Sequence, residues 1–291
     1  MGEKDIDFMA FGFRQNKLTL ILPKADSQQL FMNLYYQKIG KSDKILFAFH
    51  GMGQDFSCFQ KFAQTFDNQY TTYLFDLPFH GKSSLNKTII TKEIWKEYLN
   101  KFLQENQIQK FSIISFSMGG RFALATLEAF SERIENVYLL APDGITENLF
   151  YFGATRFSFT RNIFKKVLEN NHKFHGFGGF LVRMGIVHES VLKFAKIMVD
   201  APVKHEQLYK SWVGFRYLKF DIKKIAQLIN NQGINVKIFM GKYDKLLTTR
   251  HVFPLTKRLK EAELIIIEAT HGKLVEKTTA YLVDNLFKKE S

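Results

Sequence analysis

The chain has a single cysteine, Cys58, among 291 residues. That excludes an intrachain disulfide framework and makes a reducing compartment, the cytoplasm, the expected setting. No apolar run approaches the roughly 18 to 20 residues that a membrane-spanning helix needs. The opening Met1-Gly2-Glu3-Lys4-Asp5 also lacks the basic segment and apolar stretch of a secretory leader. Acidic residues are scarce beside basic ones, 28 Asp and Glu against 41 Lys and Arg, a net charge of +13. No nucleic-acid-binding signature accompanies that excess, so nucleic acid is not an expected partner. His172, His175 and His188 lack the cysteines or carboxylates that would complete a metal spacing, and no metal site is expected. Internal repeats and low-complexity tracts are absent too.

What is present is the composition of one sizeable globular body, 46% apolar and 24% charged. Short apolar runs alternate with runs of helical period. Strands are expected over 17–22, 29–37, 44–49, 72–75, 110–114, 137–140, 236–240 and 264–267, and helices over 56–66, 92–105 and 276–287. This alternation predicts an α/β fold with a mostly parallel central sheet and helices on both faces. Cys58 falls in the first helical run and reads as a small buried side chain.

The most informative segment is Ser115-Phe116-Ser117-Met118-Gly119-Gly120, where a strand-like run stops and a helix-like run begins. A serine hydroxyl reacts when a tight strand-to-helix turn pushes it out toward a base and toward backbone donors. Small residues on either side let strand and helix approach, and Ser115, Gly119 and Gly120 supply them. The pattern is S-x-S-x-G where G-x-S-x-G is usual; its bland alternative is a helix capped by Ser117.

Three other segments fall in the order such an elbow requires. The run 44–49 ends in His50-Gly51-Met52-Gly53, a glycine-rich loop able to present a bare N–H. The strand 236–240 is followed by Gly241-Lys242-Tyr243-Asp244, and the strand 264–267 by His271. Serine, acid, histidine is the chain order of one serine-hydrolase architecture. Asp143, in Ala141-Pro142-Asp143-Gly144, also sits at a strand end and is the alternative acid.

With Asp76-Leu77-Pro78-Phe79-His80-Gly81-Lys82-Ser83, similar to the D-x-x-G-H-G-x-S turn, the sequence resembles the α/β-hydrolase superfamily over nearly its whole length except the middle. The resemblance implies Ser117 as nucleophile, His271 as general base, Asp244 as orienting acid, and the N–H groups of Met52 and Met118 as an oxyanion hole. It implies that the turn at His80 is structural and that no cofactor is needed. Thr270 precedes His271, where the family often has Gly. The expected activity is cleavage of a carboxylic ester or thioester through an acyl-enzyme. The alternatives are carbon–carbon bond hydrolysis, perhydrolysis, or a non-catalytic ligand-binding role on the same fold.

From 145 to 221 the strand rhythm disappears. Between Phe150 and Phe220 lie fifteen aromatic residues, among them Phe157, Phe164, Phe180 and Trp212, with twelve Lys or Arg against four Asp or Glu. The resemblance implies a helical cap here, 145–221, inserted in a core made of 1–144 and 222–291. Most of the aromatics are expected to pack the cap against the core. The partner expected is a small-molecule acyl substrate. The basic excess reads first as a solvated face, then as a match for an anionic substrate or a lipid surface.

Overall fold

The computed structural model describes residues 17–22, 30–85, 88–147, 149–169 and 202–287, with isolated residues between 176 and 192. Among these, nine strands form one sheet: β1 (Lys17–Leu22), β2 (Leu30–Ile39), β3 (Ile45–Phe49), β4 (Thr71–Phe75), β5 (Ser84–Leu85), β6 (Phe111–Phe116), β7 (Ile134–Leu140), β8 (Asn235–Gly241) and β9 (Glu263–Ile267). The order is β1-β2-β4-β3-β6-β7-β8-β9, with β5 paired to β2. β3, β4 and β6 to β9 are parallel, whereas β1 and β5 run antiparallel to β2, and β2 antiparallel to β4. The central parallel strands are buried on both faces, which is why β3 reads as an unbroken apolar run and why the polar residues of β4 and β6, Thr71, Thr72, Ser112 and Ser115, are buried with the apolar ones.

The first helices in the chain are α1 (Gln60–Thr65), α2 (Lys92–Glu105) and α3 (Gly119–Phe130). Three more, α4 (Leu149–Arg156), α5 (Ser158–Glu169) and α6 (Pro202–Gly214), lie between β7 and β8. The chain then adds α7 (Ile222–Gln232), α8 (Thr249–Thr256) and α9 (Leu274–Phe287). The chain steps one way along the sheet from β3 to β4 and the other way from β6 onward. Right-handed crossovers therefore put α1 on one face with α9, and α2, α3 and α7 on the other. The reversal between β3 and β6 is a topological switch point, and ligand crevices open there at the carboxyl ends of the strands.

Most expected elements are present with ends shifted by a few residues. α2 spans its expected range, and the Thr91 hydroxyl accepts from the Ile94 N–H at 3.3 Å. The stretch 56–66 is a correction: it opens as a 3-10 turn, Phe56–Phe59, because the Asp55 carboxylate captures the Ser57 N–H, and only then becomes α1. α7 and α8 had no counterpart among the expectations. Asp221 caps α7 by accepting from the Lys223 and Lys224 N–H groups, and Gly233 ends it at φ +63°.

Among the aromatics of 145–221 whose burial is described, Tyr151, Phe164 and Phe215 are buried and Tyr209, Trp212 and Phe220 half-buried against the core clusters, whereas Phe152, Phe157, Phe159, Phe180 and Tyr217 are exposed. The cause is visible on α5. Phe164 and Leu168 fill the inward side of the helix, so Phe159, on the opposite side, has no inward position to occupy.

Candidate active site

Ser117 follows β6 in the left-handed region, at φ +52°. A non-glycine residue there carries on the order of 1–3 kcal/mol of strain, which the surroundings must hold in place. They do so with three backbone bonds: the Ser117 N–H donates to Leu140 O at 3.0 Å, and the Asp143 and Gly120 N–H groups donate to Ser117 O at 2.9 and 2.8 Å. A Cβ on Gly119 would stand 2.1 Å from Phe49 O, and one on Gly120 would stand 2.7 Å from Asp143 O. Both positions demand glycine because the start of α3 is wedged against the ends of β3 and β7. Ser115 fits without exposure, although its hydroxyl finds no protein partner.

The elbow brings Ser117 Oγ to 3.1 Å from His271 Nε2, and His271 Nδ1 lies 2.6 Å from Asp244 Oδ2. The other carboxylate oxygen of Asp244 accepts from the N–H groups of Leu246 and Leu247 at 2.8 and 3.0 Å. The side chain of Asp244 is fully buried and that of His271 is 13% exposed. Phe116 braces the imidazole, ring centroids 4.8 Å apart. Thr270 is in ordinary extended backbone, φ −79° and ψ 168°, so the position does not require the glycine that the resemblance suggested.

Asp143 faces elsewhere. Its carboxylate takes two bonds from Arg121, at 2.6 Å from Nε and 3.2 Å from Nη2, and one from the Gly144 N–H at 2.7 Å. Arg121 is 4% exposed, gives Nη1 to Leu218 O at 3.1 Å, and lies over the Tyr151 ring. Burial disfavours its charge, but Asp143 more than compensates and raises the guanidinium pKa. This pair escaped the sequence reading, in which Arg121 was one more residue of a helix; a cation one turn past the elbow was the available signal.

Met52, Ser117, Met118 and His271 share the wall of a cavity of about 190 Å³ with the Arg121–Asp143 pair and with Tyr151, Ser211, Trp212, Phe215, Leu246 and Leu247. Ser211 is fully buried with its hydroxyl unpartnered by protein. Cys58, expected to be buried, is half-buried, and burial pushes its thiol up to about 12, which keeps it protonated. Among the described residues no group of His, Cys, Asp and Glu could hold a metal ion; His172, His175 and His188 lie outside them.

The loop after β3 is held by two neutral histidines. His50 Nε2 accepts from the Leu77 N–H at 3.0 Å and His80 Nε2 from the Gly53 N–H at 3.1 Å, while their Nδ1 atoms sit on the carbonyls of Gly51 and Pro78. Asp76 closes the same turn by accepting from the Phe56 and Lys82 N–H groups. Gly81, at φ +54°, leaves room for that carboxylate. Burial lowers the pKa of His80 to about 4, and burial together with His80 lowers that of His50 well below its usual range. The unfolded chain therefore binds protons between pH 6.5 and 4 that the folded chain refuses. The stabilisation from His80 is full above pH 6.5 and is lost as pH falls toward 4, about 3 kcal/mol in all. Asp76, whose carboxyl is raised mainly by burial, opposes this loss at the acid end. Urea unfolding at pH 7 and pH 4.5 should show the drop, with a shallower slope for His80→Gln; equal slopes would mean that His80 is not the group that titrates.

Against known families, the model described as the alpha/beta hydrolase fold matches residues 44–278. The chain belongs to the α/β-hydrolase fold family. Solved relatives agree with this fold: a hydrolase from Pseudomonas aeruginosa is 18% identical at TM-score 0.64, covering 92% of this chain and 96% of that one. A thermophilic esterase from Thermogutta terrifontis is 14% identical at TM-score 0.65, covering 94% and 98%. Among curated proteins, a putative esterase/lipase 2 of Mycoplasma pneumoniae is 27% identical over 95 residues, 32% of this chain and 35% of that protein. An acetyltransferase component of the acetoin cleaving system of Cupriavidus necator is 29% identical over 110 residues, 38% of this hydrolase-fold chain and 29% of the relative. The matches thus span about a third of these curated relatives. No helix among the described residues is long and apolar enough to cross a membrane.

Proposed function

We propose that this hydrolase-fold protein cleaves a carboxylic ester or thioester through an acyl-enzyme on Ser117. The observation that carries the reading is the unbroken hydrogen-bonded line from Ser117 through His271 to Asp244. With Nδ1–H given to Asp244, the imidazole keeps Nε2 free to take the Ser117 proton and later hand it to the leaving group. Asp244 fixes that tautomer and stabilises the imidazolium. The N–H groups of Met52 and Met118 serve as the oxyanion hole, each worth roughly 3–4 kcal/mol to the transition state. The esterase names among the relatives support an ester-type bond.

In this reading α4, α5 and α6 form a cap within 145–221 over a core of 1–144 and 222–291. Its Tyr151 and Trp212 help line the cavity beside Ser117 and give the acyl group an apolar wall, while a water that gives its proton to His271 Nε2 attacks the acyl-enzyme, releases the acid and restores the Ser117 hydroxyl. A cavity near 190 Å³ suits a compact acyl group, since roughly 150 Å³ already admits benzene. Arg121, from α3 of the core, is the one cation lining the cavity among the described residues and is neutralised by Asp143, and no Lys or Arg of the cap is among the lining residues. The low cysteine content supports a cytoplasmic setting.

An active-site-directed fluorophosphonate should label the wild-type chain once, at Ser117, and should not label Ser117→Ala. Mass spectrometry of the modified peptide decides it, and stoichiometric labelling of the variant would sink the proposal. A non-catalytic member of the fold would give no labelling in either.

A further inference from the structure

α5 has two apolar faces, and only one of them is used. Phe164 and Leu168 pack inward with Tyr209 and Trp212. Phe159 and Ile163, one turn apart on the opposite side, are 62% and 56% exposed. Phe157, in the turn joining α4 to α5, is 53% exposed and stacks on Phe159 with ring centroids 5.9 Å apart. Three large apolar side chains held together in water mark a surface that meets another phase or another molecule.

The surrounding charge says which. Arg156, Lys165 and Lys166 are exposed on the same two helices: Arg156 lies over the Phe152 ring at 6.0 Å, and Lys166 follows Ile163 by one turn of α5. Arg161 donates to the carbonyls of Thr155 and Arg156 and so braces the turn that presents Phe157. The acid on α5 is Glu169, 3.8 Å from Lys165. A second copy of this chain would bring the same cations, and the same net charge of +13, against this corner. An interface with negative phosphates above hydrocarbon satisfies both the rings and the cations.

We propose that the α4–α5 corner docks on an anionic lipid surface, with Phe157, Phe159 and Ile163 seated at the headgroup boundary and Arg156, Lys165 and Lys166 against the phosphates. A helix with aromatic and basic residues on its outer side binds such a surface through buried apolar area and attraction to anionic lipid together. This docking is independent of the reaction at Ser117.

Sedimentation with phosphatidylcholine vesicles, and with vesicles of equal parts phosphatidylcholine and phosphatidylglycerol, tests it. Binding should be at least about tenfold tighter to the anionic vesicles. It should weaken as salt rises from 0.1 M toward 1 M, where the screening length shrinks from about 10 Å to about 3 Å. Phe157→Ser with Phe159→Ser should weaken binding by about tenfold or more. Lys165→Glu with Lys166→Glu should do the same. Circular dichroism checks that these exposed substitutions leave the fold intact. Failure to bind anionic vesicles overturns the proposal. So does full binding by the double Phe variant, because the contact would then be purely electrostatic, of a kind that an acidic protein could make equally well.

Discussion

Ser117→Ala should lower kcat on any ester that the wild-type chain hydrolyses by roughly 10⁶-fold, the scale of a lost serine nucleophile. The reason is chemical rather than structural. Alanine keeps the Cβ, so the strained backbone at φ +52° and the three bonds that pin it should survive the change. What disappears is the oxygen 3.1 Å from His271. A residual rate above that of water is expected from the proposed oxyanion donors and the cavity alone. Pre-steady-state assays at saturating substrate separate this loss from any change in binding, since no acyl-enzyme burst can form without the hydroxyl. Wild-type turnover by the variant would move the search to another nucleophile.

Ser117, Asp244 and His271 could be read from the sequence because strand ends define them. A parallel sheet places the carboxyl ends of β6, β8 and β9 at one edge, so chain order and short apolar runs suffice to bring these three residues together. Asp143 sits at the same edge and passed the same test. Strand position does not say where a carboxylate points; only the contact with Arg121, 22 residues earlier in the chain, does. That contact depends on Gly120 letting α3 approach the loop after β7, which is a matter of packing. The exposure of Phe159 on α5 is not legible in the sequence for a related reason. Apolar content signals burial, but the burial of Phe164 excludes that of Phe159, and only the placement of the helix on α6 shows which face is used.

Asp244→Asn should cut kcat by roughly 10⁴-fold, and the local hydrogen bonds say why an amide cannot substitute. Two N–H groups, of Leu246 and Leu247, point at Asp244 Oδ1, so the amide oxygen of Asn must take that place. Its NH₂ then faces His271 Nδ1 and donates to it. The ring proton is driven to Nε2, the atom that must accept from Ser117, and the base is switched off. Turning the amide over would set its NH₂ against two backbone donors, a worse outcome. Asp143→Asn should act on a different quantity. It leaves the buried Arg121 charge without its counter-charge, at a cost on the order of 3 kcal/mol of stability, while the Ser117–His271–Asp244 line is untouched. Its kcat should stay within about tenfold of wild type even as its Tm falls. Measuring kcat and Tm for both variants separates a carboxylate that orients the base from one that neutralises a wall of the pocket. If Asp143→Asn loses the larger factor in kcat and Asp244→Asn mainly loses stability, the acid is Asp143, and the serine mechanism stands with a different third member.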